Sequence, residues 1–511
     1  MITMKQLVVF ILMMTVLPVF SKAQKVTYSD YEQEDNRDIQ FEIIGKMKGN
    51  LLVYKNIRRW MHKINVFGDD MKIKETVKLD FMPEKTFNVD FVIYPDYFWM
   101  IYQYQKKNIL HCMAAKMDAN AQKIGDPVEI DTTQIPFLSD NKIYTTIYSE
   151  DKQRVMVFKM PKKNDKYTLV TMLFNSDMKL IRERNRQELE MDERRDNYGN
   201  FTLDNDGTLV FTRDTKSGNR ETSNQLDIFI KDAAKDTFTG HSIPLDKNYI
   251  DEVKLKVDNL NKRYILNSFY YKQNRGNIDG MFTSIWNKTA DSAMCRTFSS
   301  FTDSLRDEAK STGALRFALN DYFIRQVFAK KDGGFLLTAE DYSYQRTGFN
   351  NSWNRWDYLN NYYSPYYSSS YYYYNPYTGY YYRPYSSYGN QSTRYYYSNI
   401  LLLSYDKNGA LLWDRVIHKE QFDDDNDNFL SFSTFNSGGE IHFLFNDDKN
   451  RNQIIANHAV TGSGEVTRYP TLKSQERGYQ FMPKLSKQVG ASQLIIPCEY
   501  RGYICFARID L

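Results

Sequence analysis

FTLDNDGTLVFTR, residues 201–213, holds the local pattern on which the chain is built: an apolar run enters, a polar reversal turns it, and an apolar run returns. Asp204, Asn205, Asp206 and Gly207 tolerate left-handed backbone or close an Asx turn, and Leu209, Val210 and Phe211 leave with β-branched and aromatic character. The pattern recurs about eight times between Phe41 and Leu511. FEIIGKMKGNLLVYK starts at Phe41, FVIYPDYFWMIYQY at Phe91, YTTIYSEDKQRVMVFK at Tyr144, KLKVDNLNKRYILNS at Lys254, RQVFAKKDGGFLLTA at Arg325, FSTFNSGGEIHFLF at Phe432 and LSKQVGASQLIIP at Leu485. Each reads as a β-hairpin.

A second hairpin follows most of these, as in KINVFGDDMKIKETV, DIFIKDAAKDTFTG, LLLSYDKNGALLWDR and ANHAVTGSGEVTRY. In blades two and three the segments HCMAAKMDANAQKIG and TMLFNSDMKLIRE read the same way. Four strands repeating about every fifty residues resemble the β-propeller superfamily, and the resemblance covers nearly all of residues 24–511. It implies an all-β fold of seven to eight, most simply eight, four-stranded blades. The chain lacks the repeated Trp-Asp ending of WD repeats. The double glycines Gly333-Gly334 and Gly438-Gly439 are similar to those of kelch repeats, without the rest of that pattern. The resemblance therefore implies a fold and transfers no functional residue. The last unit stops after its third strand near Ile509, and residues 25–31 stand ahead of the first unit with strand-like composition. The N-terminal segment is expected to supply the missing outer strand and close the ring.

The composition agrees with an all-β protein: 41 Tyr, 32 Phe and only 13 Pro in 511 residues. The formal charge of +4 falls to +2 without Lys5 and Lys22, too balanced to point to nucleic acid. Lys5, an apolar run from Leu7 to Phe20 and the small residues Ser21 and Ala23 read as a signal peptide over residues 1–23, with cleavage after Ala23. The expectation is an exported protein of the periplasm, cell surface or medium, with no span remaining after cleavage. If Arg501-Gly502 is a two-residue turn, Cys498 faces Cys505 across adjacent strands, either as a disulfide or as two buried thiols.

Strand alternation puts the first-to-second and third-to-fourth turns of every blade on one face of the ring. The second-to-third loops and the connections between blades lie on the other. All the long irregular segments belong to the second group: residues 216–223, 272–279, 301–320, 345–398 and 422–428. That decorated face is the expected working surface, since binding residues concentrate on loops held by a rigid scaffold. The tyrosine-rich, low-complexity insertion 345–398 dominates it, with 18 of the 41 tyrosines, four arginines and two of the six tryptophans. Tyr offers a large amphipathic surface at low entropic cost. The expected contact residues for a protein or glycan partner at the cell envelope are Trp353 and Trp356 as anchors, with Tyr366, Tyr367, Tyr371, Tyr372, Tyr373, Tyr374, Tyr377, Tyr380, Tyr381 and Tyr382.

Residues 301–320 form the one helical-looking stretch, with Ser304 as its expected cap. Asp423, Asp425 and Asp427 have the alternate spacing that begins a calcium loop, but Asn428 and Thr434 stand where Gly and Glu are required. No other cofactor is indicated. The six histidines form no His-x-x-x-His pair, and there is no Gly-x-Ser-x-Gly elbow or phosphate loop. His442 reads as a satisfied core histidine. The reading is a secreted binding or scaffold protein without enzymatic activity. The alternatives are a carbohydrate-active enzyme using carboxylates at the central channel and an envelope protein that associates with itself.

Overall fold

The structure is a computed structural model that describes residues 25–511 apart from 58–60, 84–85, 137–142, 164–165, 219–221, 311–318, 347–354, 357–358, 360–372, 375–380, 383–392, 425, 448–453 and 474–477. Its strands form antiparallel blades over residues 40–78, 86–134, 145–189, 196–243, 249–300, 322–417, 432–473 and 479–510, numbered 1 to 8 below. Blades 4 and 5 share one sheet only because the pair Ser223 and Ile250 bridges them. The protein is an eight-bladed β-propeller.

Side-chain alternation explains why the blades stack. In the second strand of blade 2, Tyr97–Lys106, the side chains of Phe98, Met100 and Tyr102 pack toward blade 1, and those of Trp99 and Ile101 pack toward blade 3. A strand buried on both faces reads as a continuous apolar run, as residues 97–102 of this strand and 51–54 of blade 1 do. The core is therefore a set of separate clusters, one between each pair of neighbouring blades. The cluster between blades 8 and 1 joins Phe41, Val53 and Phe67 to Ile495, Ile504 and Phe506, so the ring is closed.

The closing strand is the expected one. Lys25–Tyr28 pairs antiparallel with Tyr503–Asp510, Lys25 opposite Asp510, and becomes the outer strand of blade 8. Beyond it the Ser29 amide donates to the Phe506 carbonyl at 2.8 Å, and the Phe506 amide donates to Ser29 Oγ at 3.0 Å. Asp35, fully buried, accepts from Lys55 Nζ of blade 1 at 2.6 Å, while its carbonyl accepts from the Ile504 amide of blade 8. One residue of the N-terminal segment thus ties the first blade to the last.

The turn at Asp204 recurs on the plain face. The Asp204 amide donates to the Thr208 carbonyl, the Gly207 amide donates back to the Asp204 carbonyl, and Gly207 has φ +92°. The same two bonds occur at Asp118, Asn175, Asp406 and Thr461. Asp118, Asn175 and Asp406 also accept two amides each through their side chains, the reason Asp and Asn begin these turns. In blades 2 and 3 the outgoing strands start later than the hairpin pattern places them, at Val128 and Asn185. After the turns a single bridge forms, Met117 with Lys123 and Phe174 with Leu180. In blade 2 Pro127, which lacks an amide hydrogen, then precedes the strand.

The helix is shorter and capped earlier than its sequence suggests. It spans Asp303–Glu308, and its cap is Thr302, whose Oγ1 accepts from the Leu305 amide at 3.2 Å. Ser304 lies inside the first turn, because Thr302 already holds the extended backbone that a cap requires. Cys498 does face Cys505, across Arg501 and Gly502 with φ +51° and +86°. Both side chains are buried with their sulfurs 3.0 Å apart, and burial pushes the Cys498 thiol up.

Candidate functional site

Loop placement follows the alternation rule. The connections after Lys216, Tyr271, Ser300, Arg346 and Ile417 all leave from the same end of the ring. The ends of the tyrosine-rich segment are strand: Phe335–Arg346 runs into it, and Thr393–Tyr405 emerges from it, paired from Arg346 with Thr393 onward. The backbone of Tyr373 and Tyr374 pairs with that of Tyr381 and Tyr382. Trp353, Tyr366, Tyr367, Tyr371, Tyr372, Tyr377 and Tyr380 lie outside the described residues.

Trp356, an expected anchor, is half-buried. It packs inward against the core between blades 5 and 6, 6.1 Å from the ring of Tyr271, because its neighbours Arg355 and Leu359 are drawn into the ring. Arg355 Nε donates to Asp251 Oδ2 at 2.5 Å, its Nη2 lies 3.6 Å from Glu252 Oε2, and it donates to the Tyr322 carbonyl. The guanidinium also stacks 4.2 Å from the Phe323 ring. Burial alone would lower the Arg355 pKa, but Asp251 holds it well above the ordinary arginine value. Burial and the same carboxylate push the Tyr271 hydroxyl up, and it donates to Asp251 Oδ2 at 2.6 Å.

Beside this anchor lies a second buried ionic cluster, centred on Glu340. Its carboxylate accepts from Arg325 Nε at 3.1 Å and from Ser431 Oγ at 2.6 Å, and pairs with Lys419 Nζ at 2.9 Å. Lys419 also donates to Gln421 Oε1 and to the Tyr397 carbonyl. Burial lowers the Lys419 pKa, with Glu340 opposing. The Tyr397 hydroxyl donates to Asp427 Oδ2 at 2.7 Å, and Lys484 Nζ sits 3.0 Å from the same oxygen. These residues come from blades 6 and 8 and from the connection between blades 6 and 7. They form a rigid ionic floor under the decorated face.

Asp427 is thus committed to Lys484 and Tyr397. Asp423 lies in the strand Gln421–Asp424, which pairs alongside Arg394–Tyr397, and Asp425 lies outside the described residues. Among the described residues no group of three or more His, Cys, Asp or Glu side chains is placed to hold a metal ion. His442 is buried, with Nδ1 2.9 Å from Asn457 Oδ1. The floor was missed in the sequence because its partners are far apart along the chain: Arg355 and Asp251 by 104 residues, Ser431 and Glu340 by 91. The available signal was a charge in an otherwise apolar strand, as with Glu340 in Phe335-Leu336-Leu337-Thr338-Ala339-Glu340.

No family model matches the chain, and no curated protein matches it. Solved structures give distant likenesses. The WD40 domain of SCAP from fission yeast aligns at TM-score 0.41 and 7% identity over 96% of this chain and 98% of that one. The β-propeller domain of the trilobed protease from Pyrococcus furiosus aligns at TM-score 0.35 and 6% identity over 83% and 95%. Prolyl oligopeptidase B from Galerina marginata aligns at TM-score 0.41 and 8% identity over 92% of this chain, which spans 56% of that chain's length. Fold assignment rests on the blades themselves, and the functional reading on the site.

Proposed function

We propose that this chain is an exported, non-enzymatic binding or scaffold propeller that contacts a protein or glycan partner at the cell envelope through its decorated face. The supporting observation is Arg355: the tyrosine-rich segment is rooted in the ring by a buried ion pair, so a contact surface rises from a fixed base. An enzymatic reading with carboxylates at the channel is less well supported. Asp251, Glu252, Glu340 and Asp427 are each engaged by a cation, which suits structural pairing better than proton transfer.

The experiment compares crosslinked partners of the intact protein with those of a variant in which residues 360–392 are replaced by a short Gly-Ser turn. This boundary keeps Arg355, Trp356, Leu359 and the paired strand from Thr393. A partner held by the intact form and lost by the folded variant supports the reading; equal capture by both overturns it. Export is tested by the mature N-terminus, expected at Gln24. Among the described residues no helix is long and apolar enough to cross a membrane.

A further inference from the structure

The inner strands of blades 6 and 7 converge with the turn Pro483–Leu485 of blade 8 around a cleft of about 340 Å³, its open mouth included. Arg325, Gln326, Ser433, Thr434, Lys484 and Ser486 line it, so the wall carries two cations and no carboxylate. Both cationic side chains are more than nine-tenths buried, Arg325 at 6% exposure and Lys484 at 2%. Each is fixed from behind, Arg325 by Glu340 and Lys484 by Asp427. Thr434 Oγ1 is bound to Gln326 Oε1 at 2.9 Å. Ser433 and Ser486 are different: both are buried lining residues, and neither hydroxyl has a hydrogen-bond partner among the described residues.

A buried hydroxyl left without a partner is destabilising. Two of them in one cleft, beside two immobilised cations, form a donor set that hydrocarbon cannot satisfy and that an anionic oxygen satisfies with charge-assisted bonds. We propose that this cleft binds a small oxyanion, a carboxylate or sulfate group, with Lys484 and Arg325 supplying charge and Ser433 and Ser486 supplying hydrogen bonds. The site is built from ring residues alone. It therefore stands or falls independently of the tyrosine-rich segment.

The test is calorimetric titration of the full mature chain in chloride buffer with sodium sulfate and, separately, sodium glucuronate, with glucose as the neutral control. Saturable binding of either anion, with glucose silent, is expected. Sulfate alone identifies a tetrahedral group as the ligand, and glucuronate alone a carboxylate. The informative variant is Ser433→Ala combined with Ser486→Ala. Neither hydroxyl bonds to a described residue, so the variant should keep or slightly raise the thermal midpoint while binding about tenfold more weakly. Absence of saturable binding by both anions overturns the proposal, as does equal affinity in the folded double variant.

Discussion

Two regions leave the repeat, the N-terminal segment that closes the ring and the insertion in blade 6, and each is fastened by buried ion pairs. Asp35 of the first meets Lys55 of blade 1; Arg355 of the second meets Asp251 of blade 5. The difference lies in the backbone. The N-terminal segment also contributes a four-residue ladder and a carbonyl to the neighbouring blade. Arg355 and its neighbours are held mainly through side chains. The first region should therefore be part of the ring's cooperative unit, and the second a fitting attached to it.

The largest effect should come from removing residues 25–38. That exposes the outer edge of Tyr503–Asp510 and leaves Lys55 buried without Asp35, and the thermal midpoint should fall by roughly 10 °C or more. An unchanged melting curve would erase the distinction between the two regions. Next in size is Arg355→Met, which strands Asp251 and should cost about 3 kcal/mol in denaturant melts while the ring stays folded. Adding Asp251→Asn should restore part of that loss, and a double variant no more stable than the single one would show that the pair is not the fastening.

Between the two regions lies an ionic element of opposite sign. Asp214 in blade 4 is fully buried, and burial raises its pKa to about 6 despite hydrogen bonds from Ser223 and Asn197. Because the folded value exceeds the unfolded one near 4, the native state binds the proton more tightly. This group's contribution is thus present at low pH and lost as pH rises from about 4 through 6. Asp214→Asn should raise stability at pH 7 by on the order of 2 kcal/mol and flatten the pH profile across that window. The Asn amide can donate to Ser223 Oγ while its carbonyl accepts from Asn197. A variant that is less stable at pH 7 would refute the assignment. The smallest effect is Tyr397→Phe, which removes the hydroxyl from Asp427 while Lys484 remains, and should cost about 1 kcal/mol in the same melts. A loss as large as that of Arg355→Met would make the ionic floor, rather than the insertion root, the main fastening on that face.

The ring was legible in the sequence wherever local chemistry is obligatory. Asp204, Asp406 and Gly207 announce their turns, and a last unit lacking one strand announces the closure. At the turns of Met71, Ala121 and Met178, with φ between +53° and +62°, the Asp and Asn residues announce the reversal but the left-handed residue itself carries no signal, because it would not choose that conformation alone. The candidate site was legible only as to its face. Which cation meets which carboxylate depends on the relative positions of whole blades, and neither spacing nor periodicity encodes that. Trp356 shows the same limit: its packing against Tyr271, 85 residues away, is not encoded by its tyrosine-rich surroundings.

The closing strand also has a kinetic meaning. Ser29 bonds to Phe506 across 477 residues, whereas each blade is built from hairpins whose strands are sequence neighbours. Blades can form as they are synthesised, one upon the last, but the first strand has no partner until nearly the whole chain exists. Throughout that interval Lys25–Tyr28 is an open template, joined at its end by the outer edge of the newly made blade 8. The moment of ring closure is therefore the step at which a chaperone, or a second copy of the chain, can most readily intervene.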